Sequence, residues 1–181
     1  HNARRAATPI VNVVGDHATY HLQYDAPLTS DLAGFARPVS SWLCESKSSR
    51  SVAADAARAV QAATAAPGGI ATLILPADTA WSDAHHAARP LPVIGPHDVS
   101  PDAIDECAEL LRSGRKTAIL LRGRALRGPG LEAAGRIAAK TGARLLSDTF
   151  APRSELGAGR VPIERLPYFA EQIVETLPGI E

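Results

Sequence analysis

Two stretches of the chain gather residue types that do chemistry. Asp16 and His17 close an apolar run, and His21 follows four residues on. In open α/β sheets ligands settle beyond the carboxyl ends of the strands, where this trio would stand. Two histidines at that spacing also suit zinc. A helical metalloprotease motif, however, has Glu directly after the first His, and here Ala18-Thr19-Tyr20 intervene. The sequence therefore assigns no metal, and His17 and His21 read equally as exposed loop histidines.

The second stretch is Gly123-Arg-Ala-Leu-Arg-Gly128-Pro-Gly130. It links an apolar run to a helical one, where backbone N–H groups can cradle a phosphate. The spacing is neither GxGxxG nor GxxxxGK[ST]. Gly123, Arg124 and Gly128 are thus candidates for a flavin or nucleotide turn, with Arg122 and Arg127 beside them, or for a turn that needs Gly only for backbone freedom. Cys44 and Cys107 stand far apart, which excludes a CxxC redox pair and a zinc knuckle. There is no GxSxG elbow, no Cys-His arrangement and no supported carboxylate pair, so no complete catalytic constellation is visible.

The elements that must position these residues alternate. Helical Asn2 to Ala7 precedes a β-branched run at 10–14, read as a buried strand ended by Gly15-Asp16. A short helix spans 30–36 and stops at Arg37-Pro38, and a strand is expected at 39–43. From Ser49 an Ala-rich helix runs to Ala66, presenting Val52, Ala56, Ala59, Val60 and Ala63 on one face until Pro67-Gly68-Gly69 ends it. The uninterrupted apolar run 70–75 is the kind found in a parallel sheet covered on both faces. Between Pro76 and Pro101 the prolines are too dense for sheet or helix interior, and a linker is expected. The alternation then resumes with a helix from Ser100, a strand at 117–121, a helix from about Gly130 to Thr141, a strand at 143–146, a Gly-containing loop at 154–161 and a last helix at 163–177. An alternating α/β domain calls for a further strand after that.

With 181 residues, 45% hydrophobic and 21% charged, the chain has a globular composition; its 19 basic and 19 acidic groups cancel. Disorder, fibres and basic arms are excluded, and nothing points to a nucleic-acid or membrane partner. No signal segment or apolar span is present, and the cysteine usage suits a reducing, cytoplasmic compartment. The sequence contains no Met and starts at His1. With half-complete alternation at both ends, it reads as an internal fragment.

The order of segments resembles the thiamine diphosphate-dependent enzymes, the group of acetolactate synthase, pyruvate oxidase and benzoylformate decarboxylase. The resemblance rests on Thr8-Pro9-Ile10-Val-Asn-Val-Val-Gly15, on Val39-Ser-Ser-Trp42, on the long Ala-rich helix and on Leu75-Pro76-Ala77-Asp78 before Trp81. Gly15-Asp16-His17-Ala18 and Tyr24-Asp25-Ala26-Pro27-Leu28 are similar to a branch called acetolactate synthase-like large subunit. The resemblance implies an α/β fold with parallel sheets. Residues 1–84 would be the C-terminal half of the pyrimidine-binding domain, 85–99 a Pro-rich linker, and 100–181 the N-terminal half of a Rossmann-like central domain.

The same resemblance implies, for a full-length parent, thiamine diphosphate with Mg2+, FAD in some members, and decarboxylation or carboligation of a 2-oxo acid through carbanion attack on its 2-oxo carbon. Such a parent is expected to be a homodimer or homotetramer. The catalytic Glu of the family falls upstream of His1, and its metal and diphosphate motif downstream of Glu181. Gly15-Asp16-His17 mimics the start of that motif, but Asn2 and Asn12 both precede it. The 181 residues alone are therefore expected to be inactive, with no catalytic residue and no tightly held cofactor. Pro27 and Leu28 fall where synthases place a Phe-Gln pair, and they are the substrate-pocket candidates; Asp25 stands where the family usually has a structural acid. The rival readings are a non-catalytic nucleotide- or flavin-binding α/β module and a decayed remnant.

Overall fold

A computed structural model describes residues 1–155 and 157–180. The chain divides into two compact units, His1–Pro96 and His97–Glu181. The first runs α1 (Asn2–Ala6), β1 (Ile10–Asp16), α2 (Leu32–Ala36), β2 (Trp42–Glu45), α3 (Ser49–Thr64), β3 (Ile70–Pro76) and α4 (Ala77–Trp81). Its three strands form a parallel sheet in the order β1-β3-β2, with Ile10 opposite Ile70 and Trp42 opposite Ala71. The mixed α/β architecture with parallel sheets is the one expected.

Strand β3 is central, and all its residues but Leu75 are buried, as a run without polar alternation requires. Strand β1 is not the fully buried strand its β-branched run suggested. Among the described residues it pairs only with β3, its residues alternate between half-buried and exposed, and Val13 stays 63% exposed. Strand β2 begins three residues later than expected. Val39 and Ser40 donate their amides to Ala36 and so continue the turn that ends α2. Ser40 and Ser41 place their hydroxyls against Thr72 Oγ1 at 2.6 Å and the Ile70 carbonyl at 3.0 Å.

Helix α3 lays Asp55, Ala59 and Ala63 against the sheet. The predicted face is correct at Ala59 and Ala63 but not at Val60, which is 54% exposed. A polar residue, Asp55, lies in the buried stripe because Ser46 and Arg58 satisfy it. The proline-rich stretch also holds more structure than a linker. Pro76 starts α4 from outside its first turn, where its missing N–H costs nothing. Further on, Gln61 Nε2 donates to the Pro92 carbonyl at 2.8 Å, and the Ala66 amide donates to Ile94.

The second unit contains α5 (Pro101–Arg112), β4 (Ala118–Leu121), α6 (Gly128–Thr141), β5 (Arg144–Ser147), β6 (Glu164–Arg165) and α7 (Ala170–Thr176). Its strands are parallel in the order β4-β5-β6. Leu121, Leu126, Leu131, Ala134 and Leu145 form its core. No single helix spans 163–177, contrary to the expectation from sequence. Pro167 disfavours helical backbone at the residue before it, so Glu164 and Arg165 pair with β5 and the helix starts only after Phe169. Helix α6 starts at Gly128, two residues earlier than expected, with Pro in its first turn.

Candidate functional site

Because β1, β2 and β3 are parallel, their carboxyl ends share one edge of the sheet, which carries Asp16, Glu45 and Pro76. This is where ligands bind in open α/β sheets. The loop leaving β1 is held there at both ends. The His17 amide donates to Asp16 Oδ1 at 2.7 Å, and Asp31 caps α2 by accepting the Gly34 amide at 2.8 Å. Between these points Asp78, at the start of α4, grips Thr19 twice. Oδ1 accepts the Thr19 amide at 2.8 Å and Oδ2 accepts its hydroxyl at 2.5 Å. Those Thr19 hydrogen bonds hold the Asp78 carboxyl below the ordinary range.

Much of the loop is exposed, from Thr19 to His21 and from Gln23 to Asp25. The rings of His17 and His21 stack with centroids 5.7 Å apart, and His21 meets Tyr24 at 5.8 Å. Asp25 turns the chain in the left-handed region at φ 45°, a conformation that short polar side chains tolerate. Pro27 and Leu28 follow on the surface, and Leu28 is 80% exposed. Among the described residues, Thr29 Oγ1 is buried without a hydrogen-bond partner.

Beneath the same edge lies a buried polar cluster. The Ser46 hydroxyl donates to Asp55 Oδ2 at 2.6 Å, and Arg58 pairs with Asp55 Oδ1. Burial pushes the Asp55 carboxyl up, but hydrogen bonds from Ser46, Arg58 and Ser51 outweigh it and leave the group below its usual range. Cys44 beside it moves the other way. Burial first and the Asp55 charge second raise its thiol, against smaller opposing effects of Arg58 and Lys47. A thiol held protonated is a poor nucleophile.

In the second unit the predicted Gly turn sits at the carboxyl end of β4. Gly123 and Gly128 adopt φ of 55° and 39°, so backbone freedom is one reason for glycine at both. Arg124 lies in the 3₁₀ turn Gly123–Leu126. Arg122 Nε meets Asp148 Oδ2 at 2.5 Å, which joins the carboxyl ends of β4 and β5. The Gly128 amide donates to Glu155 Oε2 at 3.1 Å, and Arg160 Nη1 lies 2.6 Å from that same oxygen.

Among the described residues no three His, Cys, Asp or Glu side chains gather to hold a metal ion. Of the acids at the loop, Asp16, Asp31 and Asp78 are engaged with His17, Gly34 and Thr19. Three contacts had no legible signal: the Thr19 grip, the Ser46 partner of Asp55 and the Glu155 bond to Gly128. Asp78 stood out only as a letter of Leu75-Pro76-Ala77-Asp78; a carboxylate partner 59 residues away leaves no periodic trace.

The mixed α/β fold with parallel sheets matches a domain fold of a protein described as a candidate thiamin diphosphate-dependent enzyme. In sequence the chain is similar, along its whole length and with 50% identity over 184 aligned residues, to IlvX of Mycobacterium tuberculosis, described as a candidate acetolactate synthase large subunit. It spans 35% of that protein, about a third of its length. In structure it is similar, with a TM-score of 0.70, to a protein from Mycobacterium smegmatis described as a candidate thiamin diphosphate-dependent enzyme. That match has 24% identity and covers 98% of this chain and 34% of the other. No protein-family model matches the chain. No helix among the described residues is long and apolar enough to cross a membrane.

Proposed function

We propose that the chain is a segment of an acetolactate synthase-like, thiamine diphosphate-dependent enzyme that decarboxylates or carboligates 2-oxo acids as a cytoplasmic homodimer or homotetramer. The observation that carries this reading is the 50% identity extending over all of the chain. Residues 1–84 supply part of the pyrimidine-binding domain, 85–99 a connection, and 100–181 part of the central domain. When bound, thiamine diphosphate with Mg2+ would supply an electron sink for the 2-oxo acid carbon. This chain's own contribution is positional. Asp78 and Asp31 fix the β1 loop, and Pro27 and Leu28 offer an apolar wall to the substrate.

The test is to express the complete reading frame that contains these residues and to measure CO2 release from a panel of 2-oxo acids with and without thiamine diphosphate and Mg2+. Cofactor-dependent release is expected, and a protein inert toward the whole panel overturns the reading. Leu28→Gln in the same enzyme adds a hydrogen-bonding group to the wall and is expected to shift kcat/KM between apolar and hydroxylated 2-oxo acids. An unchanged ratio removes Leu28 from the pocket.

A further inference from the structure

A helix N-terminus behind a Gly-rich turn offers unpaired amides and the positive end of the helix dipole, the usual seat of a diphosphate in an α/β sheet. In this chain that seat at α6 is already taken. Glu155 Oε2 accepts the Gly128 amide at 3.1 Å and is held in place by Arg160 at 2.6 Å. The carboxylate comes from the loop between β5 and β6, 27 residues downstream. Nearby, Arg122 is paired with Asp148 at 2.5 Å, and the other oxygen of Asp148 is buried without a hydrogen-bond partner among the described residues. Each of these carboxylates is thus already paired with an arginine, and the amide that a diphosphate would need at Gly128 is engaged by Glu155. The turn is also folded tightly on itself. A Cβ on Gly130 would stand 3.0 Å from the Ala125 Cα and from the Arg124 carbonyl oxygen.

We propose that Glu155 is an internal anion seated at the diphosphate position of the second unit, so that this chain keeps flavin and nucleotide diphosphates out of the Gly123–Gly128 turn. Glu155 would then decide ligand specificity by occupying the Gly128 donor, while the next amides of the turn, of Gly130 and Leu131, are already spent on the Arg127 carbonyl. The proposal goes beyond the thiamine reading and stands or falls apart from it, because no 2-oxo acid chemistry enters its test.

The test follows the Gly128 amide by NMR in the 181-residue chain while inorganic pyrophosphate is added, with FAD fluorescence as a parallel readout. In the wild-type protein the resonance is expected to stay in place and FAD to remain unquenched. In Glu155→Ala the Gly128 proton is expected to move upfield before any addition and then to respond saturably to pyrophosphate, with an apparent affinity roughly tenfold or more above wild type. Should Glu155→Ala fail to fold, Glu155→Gln removes the charge and keeps the shape, and the same response in weaker form is expected. A wild-type Gly128 resonance that moves saturably with pyrophosphate overturns the proposal, as does quenching of FAD by the wild-type chain. A folded variant as unresponsive as wild type overturns it too.

Discussion

Where α3 meets the first sheet the buried residues are Ala59, Ala63 and Ala71, all essentially inaccessible, with Trp42 and Ala62 packed against them; the buried cluster of the second unit, around α6, is Leu121, Leu126, Leu131, Leu145 and a single alanine, Ala134. Small side chains let a helix approach a strand closely and leave no slack. Long ones fill a wider gap and depend on their volume. The polar groups differ in the same sense. Asp55 is admitted into the helix stripe of the first unit by Ser46 and Arg58, whereas Asp148 and Glu155 of the second pair with arginines at the ends of strands and in a loop. One α/β plan is therefore sensitive to added volume in the first unit and to removed volume in the second.

The largest effect that would break this comparison is expected in the second unit. Leu126→Ala empties a fully buried position and should cost about 3 kcal/mol in chemical denaturation; a loss below about 1 kcal/mol would show that the leucine core collapses around the gap. Next comes the reverse change in the first unit. Ala59→Leu inserts volume at a site with no exposure and should cost about 2 kcal/mol, while the same exchange at the exposed Ala139 of α6 should be nearly silent.

Smaller again is Asp55→Asn, which removes the charge between Ser46 and Arg58 and should cost about 1 to 2 kcal/mol. It also lifts one of the causes that raise the Cys44 thiol, so alkylation of Cys44 at neutral pH should quicken in the variant. Exposed Cys107 serves as the internal standard, and an unchanged ratio of the two rates would dismiss the Asp55 charge as a cause. The smallest effect sharpens the view of the loop. Since Thr19 lowers the folded-state pKa of Asp78 below its unfolded value, this group adds stability above the unfolded pKa and loses it as pH falls through the folded one. Asp78→Asn should flatten the acid limb of the denaturation midpoint between neutral pH and about pH 3; an unaltered limb would mean that Asp78 is not the group responsible.

Much of the fold was legible because periodicity reports burial. The run 70–75 announced a central parallel strand, and the Ala-rich helix announced its own packed face at Ala59 and Ala63. Errors arose where a local rule met a competing partner. Val60 turned outward because Asp55 had Ser46 and Arg58 to satisfy it, and the last helix was shortened by Pro167 together with pairing to β5. The site was less legible. Pro27, Leu28, Gly123, Arg124 and Gly128 could be named from position along the chain, but what holds them could not. Thr19 with Asp78 and Gly128 with Glu155 are contacts of groups far apart in sequence, and hydrogen bonds of that kind impose no pattern on the residues between them.

The alanine contact between α3 and β3 also bears on how this sequence can change over generations. Of the replacements one nucleotide away from an alanine codon, all but glycine enlarge the side chain, and glycine loosens a helix. At Ala59, Ala63 and Ala71, then, nearly every heritable step is a misfit. Neutral drift in this unit is left to run through its exposed positions, such as Val60.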